Sequence, residues 1–320
     1  MNPDWQLTRL SRRDLLRYAG AGAGALWASA LVASCGRSGP SASPQRGPHS
    51  FQALVVGATS LSLIQAQSAL GVGKDLFTFG LATSGGELLT GGSPQVWAAA
   101  DETSTPLGPF RATWYRFTGF DETHDRSPRS PLPGFYAAEV RLPSPGNWLL
   151  AAAIESGPDR DVGVGAMEAV SGGVAGVGTK ATAVRTPVAT TEAALRKICS
   201  RQPPDNMHYV SLDRALASGK PTVVVFSTPL LCDSKMCGPV TDEVLLVFRS
   251  IGPARANFVH VDIYPPPHRQ EVDPSRPYVA WRFTTDPWTI VVDGRGIIRS
   301  RFEGPVVASE ISRDLLPLLP

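Results

Sequence analysis

Two cysteines separated by four residues, Cys232 and Cys237, are the side chains of this sequence best suited to chemistry. They lie in Ser227-Thr228-Pro229-Leu230-Leu231-Cys232-Asp233-Ser234-Lys235-Met236-Cys237-Gly238-Pro239, between an apolar β-branched run and a stretch with helical spacing of apolar residues. A cysteine at the start of a helix meets unpaired backbone N–H groups and the positive end of the helix dipole, and both favour thiolate over thiol. Lys235 adds positive charge nearby and Asp233 opposes it. In an unbroken helix, at ~100° per residue, positions five apart point about 140° away from each other. Their Cα atoms would then exceed the ~7 Å limit for a disulfide. Cys232 is therefore expected to precede the helix, with Asp233 or Ser234 as its cap, unless the first turn is unwound.

Several chemistries suit such a pair. In thiol–disulfide exchange Cys232 attacks and Cys237 resolves the mixed disulfide. In a metal reading Cys232 and Cys237 bind copper with His208 as third donor, and Met207 and Met236 offer soft thioethers. Outside that reading no cofactor is expected. His260 alternates within a strand and reads as a core histidine. Cys199 is either a buried thiol or a third sulfur beside the pair. Asp286, before Pro287, would raise the pKa of Cys232 if it faced it. The reading without activity is a structural disulfide or two quiet thiols.

The elements that must hold the pair follow from the hydrophobic pattern. Residues 211–219 read as a short helix capped by Ser211 and ended by Gly219. Residues 222–226 are apolar on both faces, as in a central strand. A helix over 240–249 follows, then strands over 258–263 and 288–292. Asp293-Gly294-Arg295-Gly296 suits a hairpin turn before a strand over 297–302, and 309–318 reads as a closing helix. Upstream, short β-runs over 51–57, 76–83, 95–100, 111–118, 135–142, 147–154 and 163–170 alternate with turn residues. Seven such strands suggest an antiparallel, Ig-like β-sandwich, with Trp148 in its core. A Gly-rich stretch from Ser171 to Thr179 separates the halves, and residues 193–198 read as a short helix.

The order strand, cysteine helix, strand, Pro-led hairpin and terminal helix resembles the thioredoxin fold over residues 207–318. The segments Phe-Ser-Thr-Pro-Leu-Leu-Cys, Cys-Gly-Pro-Val and Asp-Pro-Trp make it most similar to bacterial thioredoxin-like lipoproteins with a sandwich domain in front. The resemblance implies an α/β domain in which Pro287 is cis and faces the cysteines. The chain departs from it in spacing, since redox motifs of that family hold two residues between the cysteines. One peroxiredoxin subfamily has Cys-x4-Cys within a helix, but its Thr precedes the cysteine by three residues, whereas Thr228 precedes Cys232 by four.

The N-terminus reads as an address. Ser11-Arg12-Arg13-Asp14-Leu15-Leu16-Arg17 resembles a twin-arginine export signal, with Arg12 and Arg13 as the arginine pair. The apolar stretch 18–34 is short for a membrane span and suits a signal h-region. Val32-Ala33-Ser34-Cys35 resembles a lipobox, which implies lipidation of Cys35. Outside the cytoplasm thiols oxidise, and three cysteines remain beyond Cys35. The expected organisation is a signal over 1–35, a flexible linker over 36–50, the sandwich over 51–172, a linker over 173–192 and the thioredoxin-like domain over 193–320. A net charge of +2, without a basic tract beyond the signal, excludes nucleic acid as a partner. The expected function is extracytoplasmic thiol–disulfide redox of thioredoxin type, acting on exported protein thiols or a redox partner while lipid-anchored to the membrane. The alternative is a non-enzymatic copper-handling or partner-binding lipoprotein.

Overall fold

Short runs rich in apolar, aromatic and β-branched residues, set off by turn residues, build the first eight strands: β1 (Thr59–Gln65), β2 (Ala69–Gly71), β3 (Gly73–Ala82), β4 (Gln95–Ala99), β5 (Leu107–Arg116), β6 (Gly134–Leu142), β7 (Gly146–Ser156) and β8 (Asp159–Val170). The structure, a computed structural model, describes residues 48–117, 132–156, 159–232, 235–264 and 273–320. Arg12, Arg13, the apolar stretch and Cys35 lie outside the described residues, as do Asp233 and Ser234.

These strands pair in the order β1-β3-β6-β5-β4-β7-β8, and β1 also pairs with β8, so seven strands close into a barrel. The closing seam is parallel, with Leu61 opposite Gly163. A Cβ at Gly163 would come within 2.9 Å of Leu81 Cδ2 and 3.2 Å of Leu63 Cβ, so glycine permits the approach there. β2 continues along the edge of β8 beyond β1. The interior is apolar: Phe77 and Phe79 stack at 4.9 Å, and Phe79 lies 5.5 Å from Tyr136. Trp148 is buried in the same core, its Nε1 donating to the Ser144 carbonyl at 3.1 Å.

The C-terminal part holds β9 (Thr222–Ser227), β10 (Asn257–Asp262), β11 (Trp288–Val292) and β12 (Ile298–Glu303) in one sheet of order β10-β9-β11-β12. β10 runs parallel to β9, while β11 and β12 are antiparallel to their neighbours. β9 and β10 are buried along their whole length, as their unbroken apolar runs require. Both outer edges are covered. The Met207 carbonyl and Tyr209 hydroxyl accept N–H groups of β10, and Gly178 and Thr179 pair with Ile298 of β12. Helices α4 (Cys237–Ile251) and α6 (Ala308–Leu315) cover one face. Their core is continuous with Phe117, Phe135 and Ala137 of the barrel side. The other face packs on α3 (Leu212–Ala217), α5 (Arg276–Ala280) and an aromatic group of Phe226, Tyr278, Trp281, Phe283 and Trp288.

Several expectations need correction. The N-terminal strands do not form two faced sheets, because the β1–β8 pairing closes them into a barrel. A thioredoxin-like α/β domain is not supported either. The described chain has twelve strands and six α-helices, α2 (Glu192–Leu195) among them, with more than twice as many residues in strand as in α-helix, and residues 46–320 form one compact unit in which the C-terminal sheet shares its core with the barrel side. Residues 51–55 are helical, not extended: α1 (Phe51–Val55) is capped by Ser50 Oγ, which accepts the Ala53 N–H at 3.2 Å. Its Phe51 and Leu54, three apart, bury against Trp97. Ser211 is the first flanking residue of α3 but makes no cap bond. Its hydroxyl instead accepts the Thr186 N–H and bonds Asp213.

Candidate functional site

The pair is organised by the start of α4. Cys237 is the first helical residue, with Met236 as N-cap, and Cys232 stands before the helix in a turn-rich loop. Lys235, between them, takes a left-handed conformation with φ 60°, which turns the loop into the helix. Pro239 sits in the first turn, where a missing N–H costs nothing. The N–H of Cys237 donates to Cys232 Sγ at 3.1 Å. A helix-start donor thus reaches the sulfur of the preceding cysteine, which favours negative charge on it. The expectation that Cys232 precedes the helix is met, although a cap by Asp233 or Ser234 is not, Met236 holding that position.

Asp286 completes the site. Its Oδ2 lies 3.5 Å from Cys237 Sγ, and one ligand atom from each of Cys232, Cys237 and Asp286 lies within 4.8 Å of the other two. The carboxylate therefore faces the second cysteine rather than acting on Cys232 alone. The Asp286–Pro287 peptide is cis and Pro287 is buried before β11. Cys232 is half-buried, while Cys237 is fully buried. Among the described residues neither forms a disulfide, nor does Cys199. Burial pushes the Cys237 thiol well up, and Cys232 and Asp286 add to the shift, while a backbone bond from Thr228 works against it. The result is a half-buried cysteine whose sulfur is held by a helix-start N–H, beside a buried cysteine that keeps its proton next to a carboxylate.

His208 is not brought to this pair. It lies 2 % exposed in a second cluster with Cys199, Asp205 and His260, whose ligand atoms are within 4.8 Å of one another. The metal reading of Cys232, Cys237 and His208 is thereby corrected, since its third donor faces a different set of side chains. Cys199 is not a third sulfur of the pair: its Sγ lies 3.3 Å from Asp205 Oδ2 and 3.9 Å from His260 Nδ1. His260, expected as a core histidine, is buried, but in a polar setting. Its Nδ1 lies 2.8 Å from Asp205 Oδ2, and its Nε2 lies 3.0 Å from Ser227 Oγ. Burial opposes charge on His260, yet Asp205 and Asp262 outweigh it and raise its pKa well above the ordinary value. Burial together with the charge on His260 lowers His208 to about 4, so it is a neutral imidazole near pH 7. Asp205 went unnoticed in the sequence because Pro203-Pro204-Asp205-Asn206 reads as a turn. The spacing Cys199-x5-Asp205-x2-His208 was the signal that could have found it.

The two clusters are linked by short bonds. Ser227 Oγ pairs with Thr241 Oγ1 at 2.7 Å, and Thr241 Oγ1 donates to the Cys237 carbonyl at 2.7 Å. Comparison with protein-family models finds no match for this chain, and a search of curated proteins finds no significant similarity. The resemblance to thioredoxin-like lipoproteins thus gains no support from relatives, and the function must be argued from the site.

Proposed function

We propose that the protein is an extracytoplasmic thiol–disulfide exchange protein that works through Cys232 and Cys237. The observation that carries this reading is the asymmetry of the pair: Cys232 is half-buried and its Sγ accepts the Cys237 N–H at 3.1 Å, while Cys237 is buried with its Sγ 3.5 Å from Asp286. The thiolate of Cys232 attacks one sulfur of a partner disulfide, forming a mixed disulfide and expelling the partner's other sulfur as a thiolate. Cys237 then gives its proton to Asp286 and attacks the Cys232 sulfur. This closes the Cys232–Cys237 disulfide and releases the second partner thiol. Two electrons pass to the partner, and the reverse sequence oxidises a partner dithiol. Compartment and anchoring are part of the same proposal, through the Arg12-Arg13 signal and lipidated Cys35.

The pair is tested by following alkylation and disulfide reduction. A neutral-pH alkylating reagent should label Cys232 first, and Cys232→Ser should lose more than 100-fold of the disulfide-reducing rate. Cys237→Ser should accumulate mixed disulfides, because the attacking thiol survives without its resolver. Absence of mixed disulfides in Cys237→Ser, with activity retained, would remove the exchange reading. Separately, Cys35→Ala should release the protein from the membrane fraction, and retention there would rule out the lipid anchor.

A further inference from the structure

The cluster of Cys199, Asp205, His208 and His260 takes no part in the exchange proposed above. We propose that these four side chains form a closed, buried site for a divalent cation of the zinc class, one thiolate, one carboxylate and two imidazoles serving as its donors.

Burial and geometry support it first. All four residues are at least nine-tenths buried, with 5, 2, 2 and 1 % exposure in sequence order. Their ligand atoms lie within 4.8 Å of one another. A tetrahedral zinc with bonds of ~2.0–2.3 Å needs donor separations of roughly 3.3–3.7 Å. The pairs Cys199 Sγ to Asp205 Oδ2 at 3.3 Å, Cys199 Sγ to His260 Nδ1 at 3.9 Å and His208 Nε2 to Asp205 Oδ1 at 3.8 Å bracket that range. The His260 to Asp205 contact at 2.8 Å would open by about half an ångström as the cation takes the proton's place.

His208 supplies the second, independent sign. Its Nε2 is buried without a hydrogen-bond partner, a costly state for an imidazole unless that atom has another use. The same atom lies on the Asp205 side of the ring. The surroundings are those of a metal site as well. His260 Nε2 meets Ser227 Oγ at 3.0 Å, which orients the ring with Nδ1 inward. Asp205 Oδ1 accepts the Met207 N–H at 2.9 Å, which fixes the carboxylate. A thiolate and a carboxylate together cancel the charge of a divalent cation, as burial requires. Asp262, 3.8 Å from His260 Nε2, is held by the Ser200 N–H and hydroxyl. Mixed sulfur, nitrogen and oxygen donors in a closed set of four suit zinc in a structural role.

The test uses the full chain carrying Cys232→Ser and Cys237→Ser, so that the outcome does not depend on the exchange reading. The protein is refolded with Zn(II) or Co(II), because a closed site loads during folding. Metal analysis should give close to one zinc per chain. Co(II) should give the intense visible bands of four-coordinate cobalt with a single-thiolate charge-transfer band. Cys199→Ser should abolish that band, and His208→Ala should weaken binding at least 100-fold. A refolded parent with native circular dichroism that holds neither metal at micromolar concentration would overturn the proposal. So would cobalt spectra unchanged by Cys199→Ser.

Discussion

The barrel and the C-terminal sheet bury very different material. In strands β1 to β8 one polar side chain among the described residues is buried, Thr78, and Gln67 satisfies it. From Thr186 to Glu310 seventeen polar or charged side chains among the described residues are buried, including Asp205, His208, Asp242, Glu243, His260, Asp262 and Glu310. A buried charge costs several kcal/mol unless it is paired, so such a concentration is kept where it does something apolar packing cannot. The barrel is a packing device. The C-terminal sheet is a framework for ionisable and sulfur-bearing groups.

The largest test of this contrast is a cavity in the barrel. Phe79 is fully buried between Phe77 and Tyr136, and Phe79→Ala should destabilise the protein by about 3–5 kcal/mol. Denaturant unfolding measures the loss, and the alkylation rate of Cys232 in the folded variant should stay within twofold of the parent. A large change in that rate would show that the barrel tunes the chemistry and would break the contrast.

A smaller effect should come from the other side. Glu310, in the first turn of α6, is 2 % exposed and neither of its carboxylate oxygens has a hydrogen-bond partner. Burial raises its pKa to about 7 from the model-compound value of 4.5. The folded state therefore holds this proton more tightly than the unfolded chain. Its contribution to stability is greatest below pH 4.5, falls as pH climbs to about 7 and stays lost above it. At roughly 1.4 kcal/mol per pH unit, the cost above neutrality is about 3 kcal/mol. Glu310→Gln should remove that slope and stabilise the protein at pH 8 by up to about 3 kcal/mol. Parallel pH–stability curves for parent and variant would show that the site is wetter than its burial implies.

The parts of this molecule legible in sequence are those set by local pattern. Strands over 76–83, 135–142 and 147–154 declared themselves as short apolar runs set off by turn residues, and β9 by its β-branched run. Closure did not, because it depends on pairing Thr59–Gln65 with a strand that begins about a hundred residues later, and Thr-Ser-Leu-Ser-Leu-Ile-Gln was read as part of a gap. The resemblance to a thioredoxin-like domain rested on element order, which is silent on whether helices and sheet form a separate body. The cysteine pair was legible from its spacing and its neighbours, and Asp286 from its place before Pro287. The partnership of Cys199 with His260 was not, since they stand sixty-one positions apart and a loop with no periodicity brings them together.

The seam between β1 and β8 has a consequence for encounters with other proteins. A ring of strands has no unpaired backbone edge, and in the second sheet the segments at Met207 and at Gly178 occupy the outer rows. Among the described strands only the three residues of β2 lie outside such a ring or flank. The described strands of a chain crowded at a surface with its neighbours thus offer almost no template for strand addition, the usual route to sticky association. Under the exchange proposed above, recognition of a client would rest on side chains around Cys232, selecting for a sulfur rather than for an extended peptide.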